Sequence, residues 1–226
     1  MSRRRPGLQS KWAYVVNSLQ EIIPSYEKAS SRISLHSDRL MRAEVVSFGV
    51  KGGSLVLDLG SGPGTLSKLV ARAGGTPVLL DVSAAMLKAA PFQDRVQAAF
   101  EHLPFRDGVF ASAVSGFAVR DSLDLGVALA EVRRVVAGDG RFAFCDLGKP
   151  DSLHGFIAVA AYLRVFPSVI GLVTSGRVGL RYGSLFDTFI LVLRNSELRT
   201  ALASHFRNVK IHERQLGGSI VVMCSS

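Results

Sequence analysis

Hydrophobic and polar positions follow two periods along this chain, one typical of amphipathic helices and one typical of buried strands. In residues 1–50, Trp12, Val15 and Leu19 recur at helical spacing, which predicts a helical extension within the same domain as the rest. Beyond it, apolar runs of strand length alternate with helical patterns. The alternating runs cover residues 56–59, 66–73, 78–81, 84–90, 96–100, 110–115, 125–136 and 141–147. Such alternation is typical of a parallel sheet with helices on both faces.

An apolar insert at residues 151–181 interrupts the alternation. Its central part is long enough to span a bilayer, but Arg164 would cost about 2.5 to 3.5 kcal/mol there, and Pro167 with Gly171 divide the run. We therefore predict a pair of apolar helices, which form either part of the core or a lid over a hydrophobic substrate.

The last part of the sequence shows a helical pattern at residues 185–204 and two short strands, 209–213 and 219–224. The short turn between the strands, at residues 215–218, predicts an antiparallel hairpin. Taken together, the pattern predicts one α/β domain over residues 51–226. Its Rossmann-like sheet is mostly parallel and is closed by the C-terminal antiparallel hairpin.

Composition narrows the class of protein without fixing its partner. A chain of 226 residues with 48% hydrophobic content can bury a full core. The 27 lysines and arginines against 18 acids give a formal charge of +9, which would attract nucleic acid, anionic lipid or acidic small molecules. Because the basic residues are scattered and do not alternate with aromatic residues, nucleic acid is not favoured.

Cys145 and Cys224 lie in apolar runs, which predicts buried reduced thiols. Neither a metal site nor an export signal is predicted.

The most informative segment is a strand that ends in an acid and runs into glycines spaced two apart, Asp58, Gly60, Gly62 and Gly64. Glycine permits a tight turn and lets the backbone approach a ligand. A dinucleotide fingerprint would have a glycine where Thr65 stands, and an acid before the loop suits a cation better than a diphosphate. S-adenosylmethionine carries a sulfonium and an ammonium but no phosphate, and it is the predicted cofactor. The alternative is an ordinary turn whose glycines only permit close packing.

This segment resembles motif I of the class I methyltransferases. A second apolar run ends at Asp81, about twenty residues further on, where a doubly wound fold places the carboxylate that takes the ribose hydroxyls. Ligands in such folds bind at the carboxyl ends of the strands. The candidate cofactor-binding residues are Asp58, Gly60, Ser61, Gly62, Gly64, Thr65, Asp81, Val82, Met86, Phe100, Glu101 and Ser115. Of these, Met86 could instead simply fill the core.

Further motifs, taken in order, resemble the ubiquinone and menaquinone biosynthesis C-methyltransferases over most of the chain. The matching positions are Tyr26-Glu27 with Ser30 and Ser34, Leu103-Pro104-Phe105, Phe117-Ala118-Val119-Arg120-Asp121 with Asp124, Glu131 with Arg134, Val135, Gly138 and Gly140, Tyr182 with Leu185 and Thr188, and Gly217-Gly218. The Arg120 and Tyr182 segments are the more specific ones, because many methyltransferases share the glycine loop and Leu-Pro-Phe. The chain departs from the family at Ala99, which replaces an Asp, and at Asp121, which replaces an Asn.

The resemblance implies methylation of a ring carbon of a polyprenylated quinol. It implies Arg120 and Asp121 as catalytic residues, which either anchor the phenolate or hold a water that takes the proton. Tyr26, Phe117 and Tyr182 are the implied substrate contacts. A surface ion pair of Arg120 with Asp121 or Asp124 is an equal alternative.

Two other functions stay open: the same chemistry on another small molecule or lipid, and a catalytically silent module that only binds the cofactor. The expected partners are the quinol and an anionic membrane surface, because the substrate is dissolved in lipid and the chain is basic. The expected location is the cytoplasm, at the inner face of the membrane. A homodimer is an open expectation.

Overall fold

The computed structural model describes residues 31–34 and 36–225, so the helices predicted before residue 31 lie outside the described residues. Within these described residues, seven strands form one sheet in the order β3-β2-β1-β4-β5-β7-β6. The strands are β1 (Leu55–Leu59), β2 (Thr76–Asp81), β3 (Arg95–Gln97), β4 (Phe110–Gly116), β5 (Val136–Leu147), β6 (Asn208–Arg214) and β7 (Ser219–Ser225). The predicted α/β fold is confirmed.

Strand direction follows the predicted scheme. The pairs β1–β2, β1–β4, β2–β3 and β4–β5 are parallel, while β7 runs antiparallel to both β5 and β6. A turn at Gln215–Gly217 connects β6 to β7, so the predicted C-terminal hairpin is confirmed. Because β7 lies between β5 and β6, the hairpin is built into the sheet rather than appended to it.

Helices cover both faces of the sheet. They are α1 (Asp38–Gly49), α2 (Thr65–Arg72), α3 (Ala84–Ala89), α4 (Leu125–Val135), α5 (Leu153–Ser175), α6 (Ser184–Leu191) and α7 (Asn195–Ala203). Alternate residues of a strand point to opposite faces, and β1 shows this directly. Val56 packs with Met41 of α1 and the α2 side chains, whereas Leu57 packs with the side chains of α4 and α7. Both cysteines are buried free thiols, as predicted.

The prediction of two helices within the insert was wrong. Residues Leu153–Ser175 form one continuous helix, α5, which contains Pro167 and is followed by a 3-10 segment at Gly176–Gly183. Proline has a helical φ, but inside a helix it removes one backbone hydrogen bond and crowds the carbonyl four residues earlier. The packing of a long apolar helix can offset that loss. Val159 and Leu163 of α5 pack against Phe189 of α6.

The prediction of a single helix at residues 185–204 was also wrong, because the chain breaks between α6 and α7. Lys149 Nζ donates to the carbonyls of Ile190 (2.8 Å) and Val192 (3.3 Å) at the end of α6. The backbone N–H of Arg194 donates to Glu197 Oε2 (3.0 Å) and starts α7. These end groups stabilise a break that hydrophobic spacing does not reveal.

Candidate active site

The strand order reverses between β1 and β4, which makes the carboxyl ends of these strands the point where an open α/β sheet binds its ligand. The loops after β1, β2, β4 and β5 all begin at this edge, because these strands are parallel. The candidate site is built from those loops and from the helices that follow or precede them.

The glycine turn after β1 is tightly held on one side and open on the other. Gly60, Gly62 and Gly64 all have left-handed backbone conformations, with φ of 64°, 54° and 83°. A Cβ at Gly60 would collide with Ala118 and would lie 3.0 Å from the Phe100 ring. The absence of a side chain at Gly60 therefore lets the loops that carry Ala118 and Phe100 pack against the glycine turn. A Cβ at Gly62 would meet no atom within 4 Å. Packing therefore accounts for Gly60, whereas Gly62 faces open space.

Asp58 is a fully buried carboxylate beneath the glycine turn. Its Oδ2 accepts a hydrogen bond from the Ser67 hydroxyl of α2 at 2.5 Å, while its Oδ1 has no partner among the described residues. Burial raises the pKa of Asp58 to about 7, although the Ser67 hydroxyl and the charge of Arg42 act against this rise. An unpaired buried oxygen is costly, so the site favours a ligand that donates a hydrogen bond here.

Asp81, at the end of β2, joins two loops of the site. Its Oδ2 accepts the Gly62 N–H at 2.9 Å, and its Oδ1 accepts the Ser83 N–H at 2.8 Å. Burial raises the pKa of Asp81, while these backbone donors lower it. Each carboxylate oxygen can accept more than one hydrogen bond, so Asp81 can still take a hydroxyl donor.

The other predicted cofactor residues fall into two groups. Ser115 is fully buried, and its hydroxyl donates to the Leu59 carbonyl at 2.7 Å, so it joins β4 to β1. Met86 is 3% exposed. The hydroxyl of Ser61 is buried without a partner among the described residues. The half-buried residues of this set are Thr65, Val82, Phe100 and Glu101.

Arg120 and Asp146 form the central ion pair of the site. Arg120 Nη1 lies 2.6 Å from Asp146 Oδ1 and donates to the Phe117 carbonyl, also at 2.6 Å. Asp146 Oδ2 accepts the Arg120 backbone N–H at 2.9 Å. The side chains of Arg120 and Asp146 are 13% and 3% exposed, and Asp121 Oδ1 lies 3.7 Å from Arg120 Nε. The main partner of Arg120 is thus Asp146, an acid that the sequence places only at the end of β5.

A small cavity lies beside this ion pair. Arg120 and Asp146 line it together with apolar side chains from α4, α7 and β5, and its volume is about 20 Å³. That volume is enough for about one water molecule. The ion pair therefore lies at the wall of a cavity that a small polar molecule can enter.

Phe117 connects the two halves of the site. It has φ of 65°, which is uncommon for an aromatic residue, and its ring lies 5.0 Å from the guanidinium carbon of Arg42. Its backbone N–H donates to the Cys145 carbonyl at 2.7 Å. The neighbouring loop thus places an aromatic face toward Arg42 and a carbonyl toward Arg120.

The structure does not bring all the predicted substrate residues together. Tyr182 is buried in a small cluster with Ile33, Ile170 and Leu185, under the apolar insert. Tyr26 lies outside the described residues. Of the three, Phe117 alone makes described contacts with the Arg120 pair.

Sequence reasoning missed Arg42 and gave Asp146 no role. Arg42 lies on α1 among the buried positions Met41, Val45 and Val46, so a charge on the apolar stripe of a helix was the available signal. The pairing of Asp146 with Arg120 joins positions 26 residues apart, and no local pattern indicates it.

The chain is similar to known methyltransferases. The family model described as "Methyltransferase domain" matches residues 57–144. A ubiquinone/menaquinone biosynthesis C-methyltransferase of Haemophilus ducreyi is 27% identical, over 92% of this chain and 86% of its own length. A demethylmenaquinone methyltransferase of Mycobacterium marinum is 30% identical over 71% of both chains.

Solved structures are similar in fold. An S-adenosylmethionine-dependent methyltransferase from Thermotoga maritima has a TM-score of 0.64 and 13% identity, covering 92% of this chain and 98% of that one. Another from Aquifex aeolicus has a TM-score of 0.52 and 19% identity, covering 86% and 97%. At these identities the likeness establishes the fold alone.

Proposed function

This chain belongs to the S-adenosylmethionine-dependent methyltransferases, in the family of the ubiquinone/menaquinone biosynthesis C-methyltransferases, and we propose that it methylates a ring carbon of a prenylated quinol. The observation that carries this proposal is the 30% identity, over 71% of both chains, to a demethylmenaquinone methyltransferase. The cofactor is S-adenosylmethionine.

The residues at the strand ends fit this cofactor. The buried Asp58 has an oxygen without a partner among the described residues, which suits an ammonium donor. Gly62 faces open space, so the cofactor can pass over the glycine turn without a steric clash. We assign Asp81 to the ribose hydroxyls and the backbone around Phe100 to the adenine edge. Bound there, the cofactor would supply a methyl group on an electrophilic sulfonium.

The protein must then do three things for the acceptor ring. It must hold the carbon in line with the methyl group, exclude water, and favour the phenolate form of the ring hydroxyl. Arg120 and Asp121 are the candidates for the last task. Because Arg120 is held by Asp146, we infer that the pair acts as a unit in which Asp146 orients the guanidinium. A water in the adjacent cavity could accept the proton that the ring carbon loses.

The apolar insert supports a substrate dissolved in lipid. Helix α5 begins at Leu153, in the loop region that follows the end of β5 and Asp146. It meets the length and hydropathy of a membrane-crossing helix, with a mean hydropathy of 2.0, and 22% of its apolar window is buried. Exposed apolar side chains line it, namely Leu153, Ile157, Val165, Phe166, Val169, Leu172 and Val173.

We propose that this face of α5 lies against an anionic membrane from the cytoplasmic side. Residues 152–186 contain no acid and three arginines, Arg164, Arg177 and Arg181, so the local charge suits anionic lipid. A quinol with a prenyl tail would be reached there without leaving the bilayer. Arg164 lies 5.2 Å above the Phe186 ring, which shields its charge from the apolar surface.

The experiment is a methyl-transfer assay with purified protein, S-adenosylmethionine and demethylated quinols that carry a short prenyl tail. We expect the ring to gain a methyl group at carbon, as seen by mass spectrometry. We expect this only when the quinone has first been reduced, because methylation needs the electron-rich hydroquinone ring.

Two controls separate the alternatives. Cell extracts that contain no quinol test whether the protein methylates another acceptor. Methylation of a different lipid or small molecule in such an extract would show that the quinol is not the substrate. Calorimetric titration with S-adenosylhomocysteine tests cofactor binding independently. Binding without transfer to any extract fraction would indicate a catalytically silent module.

A further inference from the structure

The turn between β6 and β7 holds two residues other than glycine in the left-handed backbone conformation. Gln215 has φ of 51° and Leu216 has φ of 57°, and Gly217 follows with 86°. Glycine and asparagine tolerate this conformation, whereas a bulky side chain such as leucine makes it costly. Leu216 is also 72% exposed, so packing within the protein does not offset that cost. Turns of this kind normally carry small or polar residues, and the leucine therefore needs another explanation.

The surrounding structure holds this turn in a defined position. Gln215 Nε2 donates to the Ser34 carbonyl at 3.0 Å, and the Ser219 hydroxyl donates to Gln215 Oε1 at 2.6 Å. The side chain of the buried Asn195 donates to the Gly217 carbonyl at 3.0 Å. Contacts from three other segments thus keep the exposed leucine in place.

The turn packs against the first turns of helix α5. A Cβ on Gly155 would lie 2.8 Å from the Leu216 carbonyl oxygen, and a Cβ on Gly218 would lie 2.6 Å from Val159 Cγ2. These two glycines allow the turn and the helix to approach each other closely. The exposed apolar side chains of α5 begin at Leu153, in the same part of the helix. Leu216 therefore extends the exposed apolar face of α5 beyond the helix itself.

The turn also lies at the edge of the sheet that carries the candidate active site. Strand β7 is antiparallel to β5, and its Ile220 pairs with Asp146, the partner of Arg120. Because the turn directly precedes β7, it lies at the carboxyl end of β5, where the loops of the site begin. The exposed leucine and the ion pair are thus at the same edge of the molecule.

Charge indicates what covers this apolar surface. Residues 152–186, which include α5, contain three arginines and no acid. A second copy of the chain, packed on the same face about a two-fold axis, would bring these arginines together, and like charges repel. An anionic bilayer attracts the arginines and offers an apolar interior to the leucine. A bilayer therefore suits both properties of the surface, whereas a second copy suits only one.

We propose that Leu216 inserts into the bilayer beside α5, so that the carboxyl edge of the sheet faces the membrane. The left-handed turn holds the leucine in the exposed position that this contact needs. The inference rests on the membrane contact proposed for α5 and defines the orientation of the molecule in that contact. A substrate dissolved in lipid would then meet the Arg120–Asp146 pair at the membrane surface.

Substitution of Leu216 separates membrane contact from folding. In flotation with vesicles of phosphatidylcholine and phosphatidylglycerol, Leu216→Gly and Leu216→Asn should bind about tenfold or more weakly, as expected when one apolar side chain leaves the bilayer. Glycine and asparagine tolerate a positive φ, so the melting temperature of both variants should be unchanged or higher. Leu216→Met keeps an apolar side chain and should float like the unaltered protein.

Val109→Asn is the matched control, because it also replaces an exposed apolar residue without changing the net charge. Val109 is 44% exposed and directly precedes β4, so it lies at the opposite edge of the sheet. This variant should float like the unaltered protein.

A fluorescent label gives a second measurement. Leu216→Cys, labelled with a fluorophore that responds to its environment, should emit at shorter wavelength when anionic vesicles are added. The same label on Val109→Cys should not respond. Burial raises the pKa of both native cysteine thiols, Cys145 and Cys224, to about 12, so the label reacts at the introduced cysteine.

Four results would overturn the proposal. Unchanged flotation of Leu216→Gly and Leu216→Asn would remove Leu216 from the contact. Weaker flotation with a lower melting temperature in both variants would make the leucine a structural residue. A dimer that forms without vesicles and is lost in Leu216→Asn would assign the surface to a second copy. Failure of the unaltered protein to float would reject this contact together with that of α5.

These measurements are independent of the proposed reaction. Flotation and fluorescence need neither cofactor nor quinol, and methylation of a quinol with a short tail needs no vesicles. Either proposal can therefore fail while the other holds.

Discussion

At the scale of single residues, Asp58 should make cofactor binding depend on pH. Burial raises its pKa from 3.8 to about 7, so the protein without ligand holds a proton there at mildly acidic pH. An ammonium favours the ionised carboxylate, so the ligand must displace this proton. We expect the affinity for S-adenosylhomocysteine to rise with pH up to about 7 and to level off above it. Calorimetry in buffers of different ionisation enthalpy should detect proton release near pH 6.

The raised pKa of Asp58 has the opposite effect on folding stability, which decreases as the pH rises. A carboxyl whose pKa is higher in the folded state binds more protons there than in the unfolded state, so its contribution to stability falls between about pH 4 and pH 7. Asp58→Asn is the control, since it should remove most of the pH dependence of binding. Burial also raises the pKa of Asp81, so a smaller residual slope is expected. A full slope in Asp58→Asn would place the titrating group elsewhere.

A double-mutant cycle on Arg120 and Asp146 separates catalysis from structure. Arg120→Met should lower kcat by about a hundredfold, as for the loss of one charge-stabilising donor, with cofactor affinity kept. It should also destabilise the fold by about 3 to 5 kcal/mol, because it leaves Asp146 buried and unpaired.

Adding Asp146→Asn removes the carboxylate charge that Arg120→Met leaves unpaired. The melting temperature of the double variant should therefore return most of the way to that of the unaltered protein, while kcat stays low. Recovery of both stability and kcat in the double variant would show that Arg120 serves only as an ion-pair partner. The cycle is needed because Arg120 is bonded to Asp146 and to the Phe117 carbonyl, so a single substitution changes both properties.

At the scale of elements, helix α5 should carry membrane binding. We expect the protein to float with anionic liposomes at low salt and to detach as salt is raised. Phe166→Glu should reduce the lipid-bound fraction about tenfold or more, because it removes a large apolar side chain from the contact and adds a repelled charge.

Leu40→Glu is the matched control, since Leu40 is 67% exposed on α1 and the substitution changes the net charge equally. It should reduce flotation only slightly. Equal losses in the two variants would mean that net charge, and not α5, controls membrane binding. Failure of the unaltered protein to float at low salt would contradict the proposal altogether.

Helices and strands with strong hydrophobic periodicity could be predicted from the sequence. Helix ends and breaks that depend on contacts with distant residues could not. The strands β1 and β2 and helix α4 follow directly from apolar runs and spacing. The continuity of α5 through Pro167 depends on packing of Val159 and Leu163 against α6, which the sequence does not display. The break before α7 depends on Lys149, which lies more than forty residues away along the chain.

At the scale of the whole molecule, the sheet and its ligand-binding edge could be predicted, while the charge pairs across that edge could not. Asp58 and Asp81 follow strands and precede turns, so local pattern places them at the edge. Arg42 reaches the same edge from a helix that precedes the sheet, and Asp146 reaches Arg120 from a neighbouring strand. Their roles depend on the order of strands in space, which pairing between distant segments decides.

The interior position of β7 also constrains how the molecule can be made. During synthesis β7 is the last strand of the sheet to leave the ribosome, yet it separates β5 from β6. Until residues 219–225 are available, β5 presents an open edge and β6 has no neighbour in the sheet. Exposed edges of this kind favour pairing with other chains. We therefore expect the nascent protein to be prone to aggregation until β7 inserts between β5 and β6, and a chain that ends before Ser219 to stay aggregation-prone.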